Sequence, residues 1–159
     1  MTKKLLMWMA VPVLVGAVAF NSDAPDPKAV RRVITLANTP EKRPYSPAIE
    51  ANYTLYVSGQ IALDPATGKM IAGGIEEQTT QVLKNLKQVI ERAGYTMESV
   101  VKCTVLLSDI AHYSTVNQIY MGFFPKDPPA RMAFAVKDLP LGALIEIDAL
   151  AVRSRGAGK

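Results

Sequence analysis

The chain has 159 residues, of which 49% are hydrophobic and 20% charged, with 18 Lys+Arg against 14 Asp+Glu for a net charge of +4. That length supports one domain with its own core, and so mild a charge is no nucleic-acid footprint. Cys103 is the only cysteine and His112 the only histidine, which excludes an internal disulfide and a His/Cys metal cluster.

Residues 1–19 read as a secretory signal peptide. Lys3 and Lys4 open it, an apolar run follows from Leu5 to Phe20, and Ala17-Val18-Ala19 supplies the small-x-small exit. The run is short for a spanning helix, which wants about 20 apolar residues; an uncleaved N-terminal anchor is the alternative. Without Lys3 and Lys4, 16 basic residues face 14 acidic ones, or +2. The expected location is periplasmic or secreted, with no membrane contact after cleavage. Residues 20–30, with two prolines and two aspartates, have linker composition.

The folded domain is expected over 31–153, with 154–159 as a C-terminal tail. Arg31–Leu36 predicts a first strand and Tyr53–Leu63 a second. Asp64-Pro65-Ala66-Thr67-Gly68-Lys69 is a turn, in which Pro fixes φ and Gly permits a positive φ. A short strand is expected at Met70–Ala72. Ile75, Thr79, Val82, Leu86, Val89, Ile90 and Ala93 recur at three- and four-residue steps with charged and amide residues between them, so the spacing predicts an amphipathic helix closed by Gly94. Val100–Leu107 predicts a central strand, with Cys103 a buried small hydrophobe. His112–Phe124 predicts a second helix, ended by Pro125, Pro128 and Pro129. Ala130–Val136 and Ala143–Val152 are the last two strands. The order implies an α+β fold, a single mixed sheet with both helices on one face. The other face must then be polar or buried in an oligomer, and the small and apolar residues on both faces of the late strands favour the oligomer.

Several polar groups in this frame can carry chemistry. Arg131 shares a strand face with Ala133 and Ala135, which leaves room beside the guanidinium for a ligand carboxylate. Pairing with a glutamate or with water at an edge is the competing reading. Glu146 and Asp148 share a face of the last strand, where a carboxylate can orient water or shuttle a proton, or simply pair with Arg131 or a lysine. Ser58-Gly59-Gln60 reads either as a substrate contact or as a bulge. Asn117, a weak helix former inside a helix, can bond across elements or face solvent. Tyr45 lies in a loop as a site residue or a packing anchor.

The ordered combination resembles the reactive-intermediate deaminase (Rid, or YjgF-type) family. The first half supplies Pro44-Tyr45-Ser46, Tyr56-Val57-Ser58-Gly59-Gln60-Ile61, Asp64-Pro65-x-Thr67-Gly68, and Gln78 to Asn85-Leu86. The second half supplies Val116-Asn117-x-x-Tyr120 with Phe123-Phe124, Pro129-Ala130-Arg131, Leu139-Pro140 and Glu146-Ile147-Asp148-Ala149. The match runs from about Val33 to Val152. The resemblance implies a chorismate-mutase-like fold and a homotrimer with active sites between subunits. It implies hydrolysis of 2-aminoacrylate-type enamines and their imines to 2-keto acids and ammonia, without metal or cofactor. By the same resemblance Arg131 holds the substrate carboxylate, Glu146 serves catalysis, and Tyr45, Ser58 and Asn117 line the site. Many relatives carry a cysteine where this chain has Ala133. The alternative is a non-enzymatic trimer of the cell envelope that binds small carboxylates or a protein. RNA cleavage has little support, given one histidine and a mild charge.

Overall fold

The computed structural model describes residues 31–37 and 43–154. The expected signal peptide and linker lie outside the described residues, as does nearly all of the expected tail. Strands β1 (Arg31–Ile34), β2 (Ala48–Ala51) and β3 (Thr54–Gln60) precede helix α1 (Ile75–Arg92). Strand β4 (Val100–Leu107), helix α2 (Tyr113–Phe123), β5 (Ala130–Ala135) and β6 (Ile145–Val152) follow. They form one six-stranded sheet in the order β1-β2-β3-β6-β4-β5, in which only β4 and β5 are parallel. A parallel pair needs a crossover, and α2 is that crossover.

Local chemistry explains the elements. The stripe on α1 buries Val82, Leu83, Leu86, Val89 and Ile90, while Glu76 and Glu77 occupy its first turn, where carboxylates complement the helix dipole. The helix stops at Arg92, and Gly94 takes φ +83° as the expected left-handed stop. On β6, Ile145, Ile147, Ala149 and Ala151 are buried against the helices, and the alternate residues Glu146, Asp148, Leu150 and Val152 point the other way. Cys103 and Val105 of β4 and Val116 and Tyr120 of α2 complete this core.

Three expectations are corrected. Strand β2 falls where the sequence shows only a loop. It is four residues long, follows Pro47, and carries Glu50 on its buried face. Glu50 is satisfied there by Arg32 Nε on Oε2 (2.8 Å) and by the Tyr95 hydroxyl (2.9 Å) and Arg153 together on Oε1. The β2–β3 hairpin turns on Asn52 and Tyr53, both at positive φ (49° and 63°), without the glycine that usually marks such a turn. Second, Met70–Ala72 is no strand; Met70 forms a single bridge with Leu63. Third, the first strand ends at Ile34, and the last begins at Ile145, after the short 3-10 turn Pro140–Gly142.

The face of the sheet away from the helices has no covering layer in the single chain. Tyr56 and Met132 are each 50% exposed there and Phe134 is 42% exposed.

Candidate active site

Arg131 lies on edge strand β5, on the side that faces α2. Its in-register neighbour on β4 is Cys103, which is fully buried on the same side. Because α2 is the crossover between these two strands, its inner stripe passes over the guanidinium. Tyr113, Asn117 and Tyr120 are four and three residues apart, so they stack on one face. The Asn117 side-chain oxygen accepts from Arg131 Nη2 at 2.6 Å, and the Tyr113 hydroxyl lies 3.4 Å from the same nitrogen. Arg131 Cζ stands 4.7 Å from the Tyr120 ring centre and 5.6 Å from that of Tyr113, within the range of cation–π attraction. The Asn117 bond uses one Nη2 hydrogen. Nη2 also reaches the Tyr113 hydroxyl, while among the described residues Nε and Nη1 have no hydrogen-bond partner, so charged N–H donors are left for a carboxylate.

The pairing of Arg131 with Glu146 or Asp148, one of the readings open from sequence, does not occur. Asp148 accepts from the Thr104 backbone N–H at 2.9 Å. Glu146 lies on the opposite face of the sheet, in a cleft of about 190 Å³ lined by Tyr45, Ser58, Gly59, Ile61, Pro140 and Glu146 itself. Three of the sequence candidates, Tyr45, Ser58 and Glu146, therefore share this cleft. Arg131 and Asn117 meet each other elsewhere. Ser58 Oγ donates to the Ser46 carbonyl at 2.7 Å and thereby ties the strand end to the Tyr45 loop. Tyr45 is 58% exposed, with Arg43 Cζ 5.9 Å from its ring centre.

The electrostatics of the two half-sites differ. Burial raises the Glu146 carboxyl above its ordinary range, and the Asp148 carboxylate two residues along adds to the rise, as desolvation and a like charge both disfavour ionisation. Beneath Arg131, burial pushes the Cys103 thiol up to about 11 and raises the Tyr120 hydroxyl as well. Neither group is an anion at neutral pH, so the charge of Arg131 is not cancelled from below.

Tyr113 and Tyr120 are site residues that the sequence did not single out, since at three- and four-residue steps in a helix they fit an apolar stripe equally well. The signal was available in the hydroxyls they carry at three- and four-residue steps from Asn117.

Residues 36–153 match the endoribonuclease L-PSP family. Human 2-iminobutanoate/2-iminopropanoate deaminase is 45% identical over 125 residues, which span 78% of this chain and 91% of that protein. The crystal structure of YyfA from Yersinia pestis, a Rid-family protein, aligns with a TM-score of 0.73 at 43% identity, over 77% of this chain and 99% of that one. The YjgF gene product of E. coli aligns with a TM-score of 0.72 at 35% identity, over 77% and 99% of the two chains.

Proposed function

The chain belongs to the reactive-intermediate deaminase (Rid, YjgF-type) family, which carries the family description endoribonuclease L-PSP, and we propose that it hydrolyses small enamine and imine carboxylates of the 2-aminoacrylate kind to 2-keto acids and ammonia. The observation that carries the reading is the pair of complementary half-sites. One is a guanidinium with N–H donors still free, and the other a small cleft whose carboxyl group is shifted towards neutral pH. The deaminase named among the relatives acts on 2-iminobutanoate and 2-iminopropanoate, which have the size and charge that such a pair suits.

In the proposed reaction Arg131, steadied by Asn117, Tyr113 and Tyr120, takes the substrate carboxylate. The enamine takes a proton from solvent at carbon and becomes the protonated imine, with the positive charge on nitrogen. A water oriented by Glu146 attacks the imine carbon; the C–O bond forms and Glu146 takes the proton of the water. Glu146 returns its proton to the nitrogen of the resulting carbinolamine, the C–N bond breaks with release of ammonia, and the hydroxyl gives its proton to solvent as the C=O bond of the keto acid forms. Tyr45 and Ser58 close the cleft around the reacting carbon. Placement and charge supply the acceleration. RNA cleavage, which the family description names, draws no support from a cleft whose lining includes no histidine or lysine.

Arg131 and Glu146 occupy opposite faces of one sheet, so the reading includes a homotrimer in which each site takes Arg131 from one copy and Glu146 from the next. The uncovered face with Tyr56, Met132 and Phe134 supports association. Export to the periplasm or beyond is part of the proposal and rests on the sequence of residues 1–20. Mass spectrometry of the native protein should find a start near Phe20, and a soluble species that keeps Met1 would refute export. The deaminase reading is tested by ammonia release from 2-aminoacrylate generated in situ. The wild type should accelerate release, and no release above the uncatalysed rate overturns it.

A further inference from the structure

The glycine between Ser58 and Gln60 is not there for its backbone. Gly59 is absent from the glycines at positive φ, which are Gly68, Gly73, Gly94 and Gly142, so its conformation is open to an L-residue. What it lacks is room. A Cβ built on Gly59 would overlap Glu146 Oε1 and lie 2.7 Å from its Cδ and 3.0 Å from its Cγ.

The pairing of β3 with β6 shows how this space arises. Val57 pairs with Ala149, and Gln60 pairs with Ile147. Three steps along β3 match two along β6, so one extra residue bulges out of β3 at Ser58-Gly59. The bulge is held from several sides. The Ser58 N–H donates to the Pro47 carbonyl at 3.0 Å, and Ser58 Oγ donates to Ser46 at 2.7 Å. The Gln60 side-chain amide donates to the carbonyls of Ser58 (2.8 Å) and Gly59 (3.3 Å). The Glu146 carboxylate enters the hollow beside this fixed backbone.

We propose that Gly59 is a positioning residue: the side chain it lacks is the notch in which the Glu146 carboxylate is seated, so this position sets where the acid–base group of the cleft stands. The proposal rests on the role given to Glu146 in the reaction above. A methyl group at position 59 meets an anchored backbone on one side and the free end of a glutamate on the other. The glutamate is the part that gives. The expected result is a folded protein whose carboxylate has swung out of the cleft. The seat also removes water from the carboxyl group, in keeping with the upward shift that burial gives it.

The test is a double-mutant cycle on the full chain, with Gly59→Ala, Glu146→Gln and the pair. Gly59→Ala alone should lower kcat by about 10- to 100-fold, the lower part of what a positioned acid–base group contributes, with KM changed less than about threefold. In the Glu146→Gln background the same change should cost less than about twofold, because the group it displaces no longer acts. Equal losses in both backgrounds, or an undiminished kcat, overturn the proposal. If Gly59→Ala fails to fold, Glu146→Ala decides. Adding it should restore the folded state and its melting temperature when the clash is with the carboxylate; a double variant that stays unfolded refutes the notch. If Glu146→Gln alone keeps full activity, the catalytic role given to Glu146 fails instead, and the melting temperatures of Gly59→Ala with and without Glu146→Ala still test the seat.

Discussion

Arg131→Lys separates an arginine that binds substrate from one that merely fills a strand. Lysine keeps the positive charge and most of the aliphatic stem, but it presents a point charge in place of a planar fork. The structure defines what is lost. Asn117 holds one Nη2 hydrogen at 2.6 Å, Tyr120 lies 4.7 Å below the guanidinium carbon, and Nε and Nη1 have no hydrogen-bond partner among the described residues. An ammonium can keep a bond to Asn117 or reach a carboxylate, but it cannot hold Asn117 and offer further in-plane donors while stacked on the ring. One charge-assisted hydrogen bond is worth roughly 1.5–3 kcal/mol, and at about 1.4 kcal/mol per decade this is a loss of about 10- to 100-fold in kcat/KM. The folded state should change little, because Arg131 is half-buried and its partners on α2 stay in place. The assay is ammonia release from 2-aminoacrylate across substrate concentrations, with melting temperature and assembly mass measured on the same preparation. Activity within about threefold of wild type, with an unchanged fold, would show that the arginine is structural.

Glu146 should appear as an acidic limb in kcat/KM that lies above the ordinary glutamate value of about 4.3, since burial and Asp148 both raise it; activity grows as pH rises through this limb. Asp148→Asn removes the like charge and should move the limb to lower pH, which a pH–rate series will read. Glu50→Gln should destabilise the fold by about 3 kcal/mol in urea unfolding, the low end for a broken buried pair because Arg32 is half exposed and can turn to water. Burial alone would raise the Glu50 carboxyl, but bonds from Arg32 and Tyr95 and the charge of Arg153 outweigh it and hold it low. Its contribution is therefore present above the ordinary carboxylate range and lost as pH falls through the lowered value, and Glu50→Gln should lack that acid slope. Trimers reassembled from equal parts Arg131→Lys and Glu146→Gln should regain about a quarter of the wild-type activity if each site draws on two copies at random. No recovery on subunit exchange, verified by mass, would refute the shared site.

Periodicity made the helices legible. The stripe from Ile75 to Ala93 specifies both the helix and its buried face, and Gly94 marks its end because a positive φ is wanted there. Alternation in Ile-Glu-Ile-Asp-Ala-Leu-Ala-Val places Glu146 and Asp148 on one face without any knowledge of the fold. What stayed hidden depended on partners far along the chain. Strand β2 carries a charge on its buried face, and Glu50 is tolerable there only because Arg32, Tyr95 and Arg153 converge on it, the last 103 residues away. No local pattern announces such a site. The Asn52-Tyr53 turn was hidden for a related reason. Asn52 takes a positive φ readily, but Tyr53 does not, and its value is imposed by the pairing of Ala51 with Thr54 across the hairpin.

The candidate residues were legible one by one, and their grouping was not. Arg131 faces the helices because α2 crosses from β4 to β5 over that side. Glu146 faces away because Ile145 and Ile147 fill the core. A one-residue slip would flip either strand, but the register of β6 is fixed on both sides, by β3 and by β4. No rotamer change carries a side chain through a hydrogen-bonded sheet. Within one chain the two groups cannot act on the same small molecule. A reaction that uses both must bring the Arg131 edge of one copy to the Glu146 cleft of another, so catalysis and assembly become one requirement. The apolar residues of the open face then have two consequences. Burying Tyr56, Met132 and Phe134 removes exposed apolar surface, and the same contact would complete the site. A substitution such as Phe134→Glu, remote from the substrate, should therefore abolish activity by dissociating the subunits while each separated chain keeps its helices.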